Sequence, residues 1–363
     1  RERAQQQLFQ ARMEELKQAR GSDGRRIFSL PMADSSTDPD WRDLDRISFK
    51  QWLLDHGFDA ATLHWLADYA CRDDFGTRCE QTSAWAGLHY FACRSGEAAN
   101  AAPDHVLTAP EGNGWLTQAL ARPCGDRLQT GAAVWRMQEQ KHAVTIDYWL
   151  AAEKRSLRLL ADAVIWAAPA FLLPHVWPQA PEALKAAARA VTYAPWVVAN
   201  LHLSGFPEEG FGVPMAWDNV LYDSPGLGYV VATHQLIRRR LQGTVLTYYR
   251  ALADQNPVAW RLQLLALSRE AWAHAILDDL SGPHPEIRRL VTRLDVFRYG
   301  HAMCRPTPGS IWGDGRKLLA DYSGPRLALA HADLSGFSIF EEAQYRGVLA
   351  AERLLKIRRL GRS

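Results

Sequence analysis

The sequence predicts a large fold of mixed α/β and α+β class in which two domains interleave. Two observations carry this. Blocks of short strand-like segments alternate with helix-rich blocks, so the chain crosses between two regions several times. At 363 residues, 47% of them hydrophobic, it is also long enough for two domains or for one domain with a large insertion.

The elements follow in order. Residues 1–20 are polar with a weak apolar stripe of Leu8, Met13 and Leu16, which predicts a surface helix ended by Gly21 and Gly24. Ser48 caps a helix that runs to Leu54 and stops at Gly57. Residues 60–70 form a second helix with Leu63, Leu66, Ala67 and Ala70 on one face. Residues 83–93 are aromatic and uncharged, so they read as a buried segment. Residues 106–108 predict a short strand and residues 115–121 a helix. Strands follow at 134–137, 144–149 and 161–167, the last ending at Pro169. The most apolar stretch, residues 157–177, is interrupted by Asp162, Pro169 and Pro174. It is a poor membrane span and a better buried strand with its turn. Beyond it, a helix from Ala183 leads into a strand at 196–203, with further strands at 227–232 and 244–249. Residues 258–280 read as one long amphipathic helix. Strands at 295–299 and 326–330 and a helix at 341–355 complete the chain.

Charge and cysteine usage exclude several classes. There are 42 Lys and Arg against 40 Asp and Glu, and the basic runs at 238–240 and 358–359 are short. These are solvated faces, with no basic stripe for a nucleic acid. Cys71, Cys79, Cys93, Cys124 and Cys304 form neither an even framework nor a Cys-x-x-Cys pair, so no metal site is expected.

Residues 328–351 carry the most chemistry. They read as a buried strand, an acid at Asp333, a turn at Ser335 and Gly336, and a helix with Glu341 and Glu342 in its first turn. Gly347, Ala350 and Ala351 let that helix approach a sheet closely. A helix N-terminus presents unpaired N–H groups and a partial positive charge. It can therefore hold an anion, or a ring edge on which negative charge develops.

This segment resembles the C-terminal flavin motif of the flavin-dependent amine-oxidase superfamily. There a strand ends in an Ala-Gly-Glu-like triplet, and a Ser-Gly turn leads to a helix beginning Glu-Gly-Ala. The resemblance implies FAD as cofactor and places Asp333 at the acid near the ribityl and phosphate groups. Ser335 and Gly336 match the turn, and Phe340 the residue whose backbone N–H faces the pyrimidine edge. Ile339 and Glu341 complete this cofactor-binding set. Two departures stand out: Glu342 replaces a glycine, and Phe337, Ser338 and Ile339 lengthen the turn by about two residues.

Upstream, residues 300–309 resemble the stretch before the superfamily's final strand. They put His301 where monoamine oxidases hold a flavin-linked cysteine, and Ala302 where those enzymes hold a cage tyrosine. His301 can polarise or bind substrate, carry a covalent link, or be a hydrogen-bonded core histidine. Pro110, Glu111, Gly112, Asn113, Gly114 and Leu116 resemble the Pro-x-Gly-Gly-x-x-x-Leu approach to the middle flavin-binding strands. Val134 then matches a residue whose backbone contacts the adenine.

In the helical substrate region, Trp85, His89 and Tyr90 are pocket-wall candidates, with core packing as the alternative. Arg72, Asp73 and Asp74 bind a polar substrate or form a salt-bridge cluster. Trp217, Asp218 and Asn219, with residues 193–196, are expected at the same cavity. Where many amine oxidases place a lysine near flavin N5, the nearest match is Asn200.

The implied architecture is an FAD/NAD(P)-binding two-domain fold with interleaved FAD and substrate domains. Residues 1–105 would be the helical substrate region and 106–170 the middle of the FAD domain. Residues 171–296 would be the substrate-binding sheet and helices, and 297–358 the C-terminal part of the FAD domain. The superfamily's Gly-x-Gly-x-x-Gly fingerprint is not in the sequence. The chain opens Arg1-Glu2-Arg3 with a helix under way, which reads as the interior of a longer, soluble protein whose first βαβ unit lies outside it and whose localisation is open. By itself it is expected to bind FAD weakly or not at all.

The function implied is hydride transfer from a C–N or C–C bond of a small-molecule substrate to the flavin. A desaturase or isomerase acting on an apolar substrate is the alternative enzyme. A non-catalytic binding protein on the same fold is the alternative of another class.

Overall fold

The computed structural model describes residues 1–94, 96, 99–102, 105, 108–110, 112–210, 213–236 and 242–360, with side chains to residue 357. Residues 106–107 of the strand expected at 106–108, Glu111 of the glycine-rich turn and the basic run at 238–240 fall outside the described residues.

The chain begins with a helical region. The helix Glu2–Gln18 buries Phe9, Met13 and Leu16, while Leu8 is 62% exposed. The apolar stripe is therefore one residue off the expected one, because positions 9, 13 and 16 align at 3.6 residues per turn and position 8 lies about 100° away. The Ser48 hydroxyl accepts the Gln51 N–H at 3.1 Å and starts the helix Phe49–Asp55. The helix Ala61–Phe75 runs further than its apolar face suggested and ends at Gly76, whose φ of 61° is left-handed. The helix Ala84–Ala92 sits in the middle of this core, against Phe49, Trp52 and Leu63. Ile311 and Phe337, from the far end of the chain, join the same core.

Next comes an antiparallel meander of β1 (Ala132–Glu139), β2 (Val144–Leu150) and β3 (Arg155–Ala161). β3 is not the buried strand expected near residue 157. Leu159 and Leu160 are 51% and 66% exposed, because β3 is an edge paired only with β2. The chain then enters β4 (Val164–Trp166). β4 pairs in parallel with a strand from near the C-terminus, with Val164 opposite Leu327 and Trp166 opposite Leu329.

The largest sheet has five antiparallel strands. β5 (Tyr193–Leu203) lies between β9 (Val291–Cys304) and β8 (Thr244–Ala251). β7 (Gly228–Val231) and β6 (Asp218–Val220) extend it beyond β8. β9 is much longer than the predicted 295–299, so His301 is a strand residue.

The helix expected over 258–280 is two helices, Pro257–Ala266 and Arg269–Leu280. Leu267 is extended (φ −69°, ψ 135°), and the Ser268 hydroxyl accepts the Ala271 N–H at 3.2 Å to cap a new start. An amphipathic pattern continues across such a break because the two helices cover the same sheet.

β10 (Leu327–Leu329) feeds the final helix, Phe340–Leu360. Ala350 and Leu354 pack on Ala328 and Ala330. Ala350, not Gly347, makes the close approach: a Cβ on Gly347 would meet nothing within 4 Å. Among the described residues no helix is long and apolar enough to cross a membrane.

Candidate functional site

The parallel pair β4–β10 ends where the Ala330 N–H donates to the Trp166 carbonyl at 2.8 Å. The carboxyl ends of parallel strands are the usual ligand side of an open α/β sheet. His331 follows, then a single 3₁₀ turn, Ala332–Leu334, and Gly336 with φ 84°. A side chain at Gly336 would strike Ile311 at 2.7 Å, so the turn packs tightly on its neighbours.

Asp333 is 2% exposed. Its Oδ2 accepts the Ala170 N–H at 2.9 Å and the Tyr193 hydroxyl at 2.5 Å. Burial by itself would raise its pKa, but His331 and these donors outweigh burial and the net shift is downward. The His331 Nδ1 lies 3.1 Å from Asp333 Oδ1 and also accepts the Asp333 N–H at 3.2 Å. One nitrogen cannot serve both bonds at once. His331 is the ion-pair partner that faces Oδ1, which accepts no other hydrogen bond among the described residues.

Asp333 and Gly336 form one wall of a cavity of about 320 Å³, with Cys304, Arg305, Gly309 and Arg316 around it. That size is within the range of small-molecule sites. Arg316 is partly buried and its pKa is lowered to about 10, first by desolvation and then by Arg346. Cys304 is buried, its thiol pushed up by desolvation and by Asp333, and its Sγ lies 3.3 Å from the Ser338 hydroxyl.

A second cavity, of about 450 Å³, lies on the other side of Val191, Thr192 and Arg305, which line both. His301 stands in its wall, stacked on Phe171 with ring centroids 4.1 Å apart and edge-on to Tyr193 at 5.6 Å. Desolvation and then Arg261 lower the His301 pKa, which favours the neutral ring.

Other expected residues sit as follows. The Ser335 hydroxyl is buried and accepts from Arg346 Nε at 2.8 Å. Ile339 is partly buried on the helical core, and Phe340 and Glu341 begin the last helix. Glu342, at the position expected to be glycine, is fully buried and its Oε1 accepts the Met32 N–H at 2.5 Å. The departure thus has a structural account, tying the chain's first loop to the last helix. Val134 is 39% exposed on β1, away from the Asp333 turn in the meander.

Several expectations separate. Trp85 and His89 do not line a pocket. Trp85 is 0% and His89 3% exposed, and both rings stack with Phe337 inside the helical core. Tyr90 is partly buried, and burial and Asp73 push its pKa up to about 12. Arg72 pairs with Asp68 at 3.0 Å, whereas burial, Asp74 and Asp218 lift Asp73 to about 7. Trp217 is 42% exposed and tilted against His234. Asn200 accepts from the Thr247 hydroxyl at 2.9 Å. It is seven residues along β5 from Tyr193, roughly 23 Å at strand spacing, so it does not meet His301. Arg261, Arg305 and Arg316 were not anticipated, since nothing local to each arginine marks it as facing a cavity.

No family model matches the sequence, and no curated protein matches it. Solved structures do. A redesigned putrescine oxidase superposes with a TM-score of 0.68 at 15% identity, over 97% of this chain and 75% of its own. Wild-type putrescine oxidase bound to putrescine gives 0.66 at 16% identity, over 96% and 75%. Cyclohexylamine oxidase from Brevibacterium oxydans gives 0.63 at 14% identity, over 97% and 74%. The fold is that of putrescine oxidase and cyclohexylamine oxidase. This chain spans about three quarters of each of those chains.

The residues present fit the flavin end of FAD. Asp333 Oδ1 is a buried acceptor faced only by His331, and the cavity beside it has ligand size. A glycine-rich diphosphate cradle is not in the sequence.

Proposed function

We propose that the protein is an FAD-dependent oxidoreductase of the amine-oxidase type, removing a hydride equivalent from a C–N or C–C bond of a small substrate. The observation that carries the reading is the Asp333 turn. In a fold shared with amine oxidases, it sets a buried carboxylate, one oxygen of which only His331 faces, on the wall of a cavity of ligand size. FAD, when bound, supplies the electron-accepting ring, and the protein supplies orientation and electrostatics.

In this reading Asp333 holds a ribityl hydroxyl. Ser335, Gly336, Ile339 and the helix start at Phe340 and Glu341 close over the ring, and Val134 serves the adenine side. Residues 106–170 and 297–358 belong to the flavin domain, and residues 1–105 and 171–296 to the substrate domain. His301, favoured in its neutral form and beside the second cavity, is positioned to accept a substrate proton at a ring nitrogen. Asn200, remote from that cavity, carries no part of it.

The test is the absorbance spectrum of the full-length protein, purified without added cofactor and again after reconstitution. A flavin band that bleaches under dithionite is expected, and Asp333→Ala should lower flavin occupancy at least about tenfold. A full-length protein that takes up no flavin even on reconstitution defeats the reading and leaves a binding protein on the same fold. Turnover of amines rather than polyenes separates oxidase from desaturase.

A further inference from the structure

The cavity beside His301 has an unusual charge balance. Arg261 and Arg305 both line it, and among the described residues no carboxylate does. Their own hydrogen bonds go to neutral acceptors. Arg261 Nε donates to the Gly300 carbonyl at 2.7 Å and Nη2 to the Tyr193 carbonyl at 3.5 Å. Arg305 Nε donates to the Thr77 hydroxyl at 3.0 Å and Nη2 to the Gln81 side-chain carbonyl at 2.6 Å.

Arg189, a third cation on the wall, differs. It lies 3.0 Å from Glu182, which neutralises it at the surface. Desolvation lowers the pKa of both Arg261 and Arg305, and no acidic neighbour offsets it. Holding two guanidinium groups partly out of water without an anion is costly, and a bound anion removes much of that cost. The helix Pro257–Ala266 adds to this field. Asn256, Pro257 and Val258 at its N-terminus line the same cavity; Asn256 Oδ1 already accepts the Val258 and Ala259 N–H groups, so the helix contributes its dipole and no free donor. Walls of one sign in a low-dielectric cleft concentrate counter-charge.

We propose that this cavity binds an oxyanion, a carboxylate or phosphate group carried by the substrate, with Arg261 and Arg305 as its charge partners. The word substrate rests on the flavin reading above; the anion site itself does not. The inference also sets this chain apart in specificity, since a small dication gains nothing from a wall of unpaired arginines. Arg305, Val191 and Thr192 line both cavities, so the anion would sit next to the one at Asp333.

The experiment is titration calorimetry on the whole protein with benzoate, inorganic phosphate and benzylamine at matched ionic strength. At least one anion should bind, and benzylamine about tenfold or more weaker. Arg261→Gln should weaken the anion about tenfold or more, and Arg261→Lys should restore much of it. Benzoate as the tighter probe names a carboxylic acid, and phosphate as the tighter names a phosphate ester. Benzylamine binding as well as either anion overturns the proposal, whether or not the variants fold. So does anion affinity unchanged in an Arg261→Gln protein that melts like the wild type. Phosphate that displaces the flavin assigns the arginines to the cofactor and overturns the substrate assignment. The flavin band is recorded on the same sample, so anion binding without flavin defeats only the flavin reading, and flavin without anion binding defeats only this one.

Discussion

His89 and His301 are each stacked on a phenylalanine ring, yet they sit in opposite surroundings. His89 lies on Phe337 with centroids 4.7 Å apart and rings 7° from parallel; His301 lies on Phe171 at 4.1 Å and 16°. Around His89 the helical core is closed. The ring is 3% exposed, its Nε2 is 2.9 Å from the Ser29 carbonyl, and burial drives its pKa to about 4. Around His301 the wall opens on a cavity of about 450 Å³ lined by arginines. Ring stacking therefore says little about function. What separates the two is whether the remaining face of the imidazole meets protein or open space.

The sharpest way to break this comparison is to remove mass from each side. Trp85→Ala deletes a fully buried ring that touches Phe28, His89 and Phe337. It should cost about 3–5 kcal/mol in denaturant melts. A loss under about 1 kcal/mol would show that this part of the core is not tightly packed.

The next effect is on pH. His89 has a folded pKa of about 4 against about 6.5 when unfolded, so between those values the unfolded chain binds more protons. The stabilisation is complete above about 6.5 and is lost as pH falls toward 4, by on the order of 3 kcal/mol. Melts of the wild type and of His89→Gln across that window should converge in acid. A constant gap between them would mean that His89 does not titrate as its burial requires.

The smallest stability effect is expected at His301. His301→Ala leaves the wall of an open cavity, so it should shift stability by less than about 1 kcal/mol. Substrate turnover should fall by about a hundredfold if His301 handles a proton. A large stability loss with unchanged turnover would make His301 a core residue like His89.

Much of the fold is legible in the sequence because its signals are local. The Ser48 cap, the Gly57 stop, the alternation in β2 and the strand–turn–helix at the C-terminus each depend on neighbours within a few residues. The misreadings have local causes too. An apolar run at 157–160 looked buried, but β3 is an edge strand. An unbroken helical pattern hid the cap at Ser268. For the candidate site, the Asp333 turn was legible as a motif, whereas the arginine wall was not. Arg261 lies on a helix and Arg305 just past the end of a long strand, and the pattern around neither differs from a solvated arginine.

Sequence alone determined most of the chain's helices and strands and the strand–turn–helix around Asp333, since backbone propensity, capping and periodicity act over a few residues. Tertiary structure decided the rest. Only the parallel pairing of β4 with β10 carries Asp333 to Ala170, and only its packing on the start of β5 carries it to Tyr193. Only the approach of the helix Pro257–Ala266 to β9 brings Arg261 to His301, while the register of β5 and β9 leaves Asn200 far along the sheet. Burial and net charge in a cavity are sums over residues distant in the chain, so they exist only once the chain has folded.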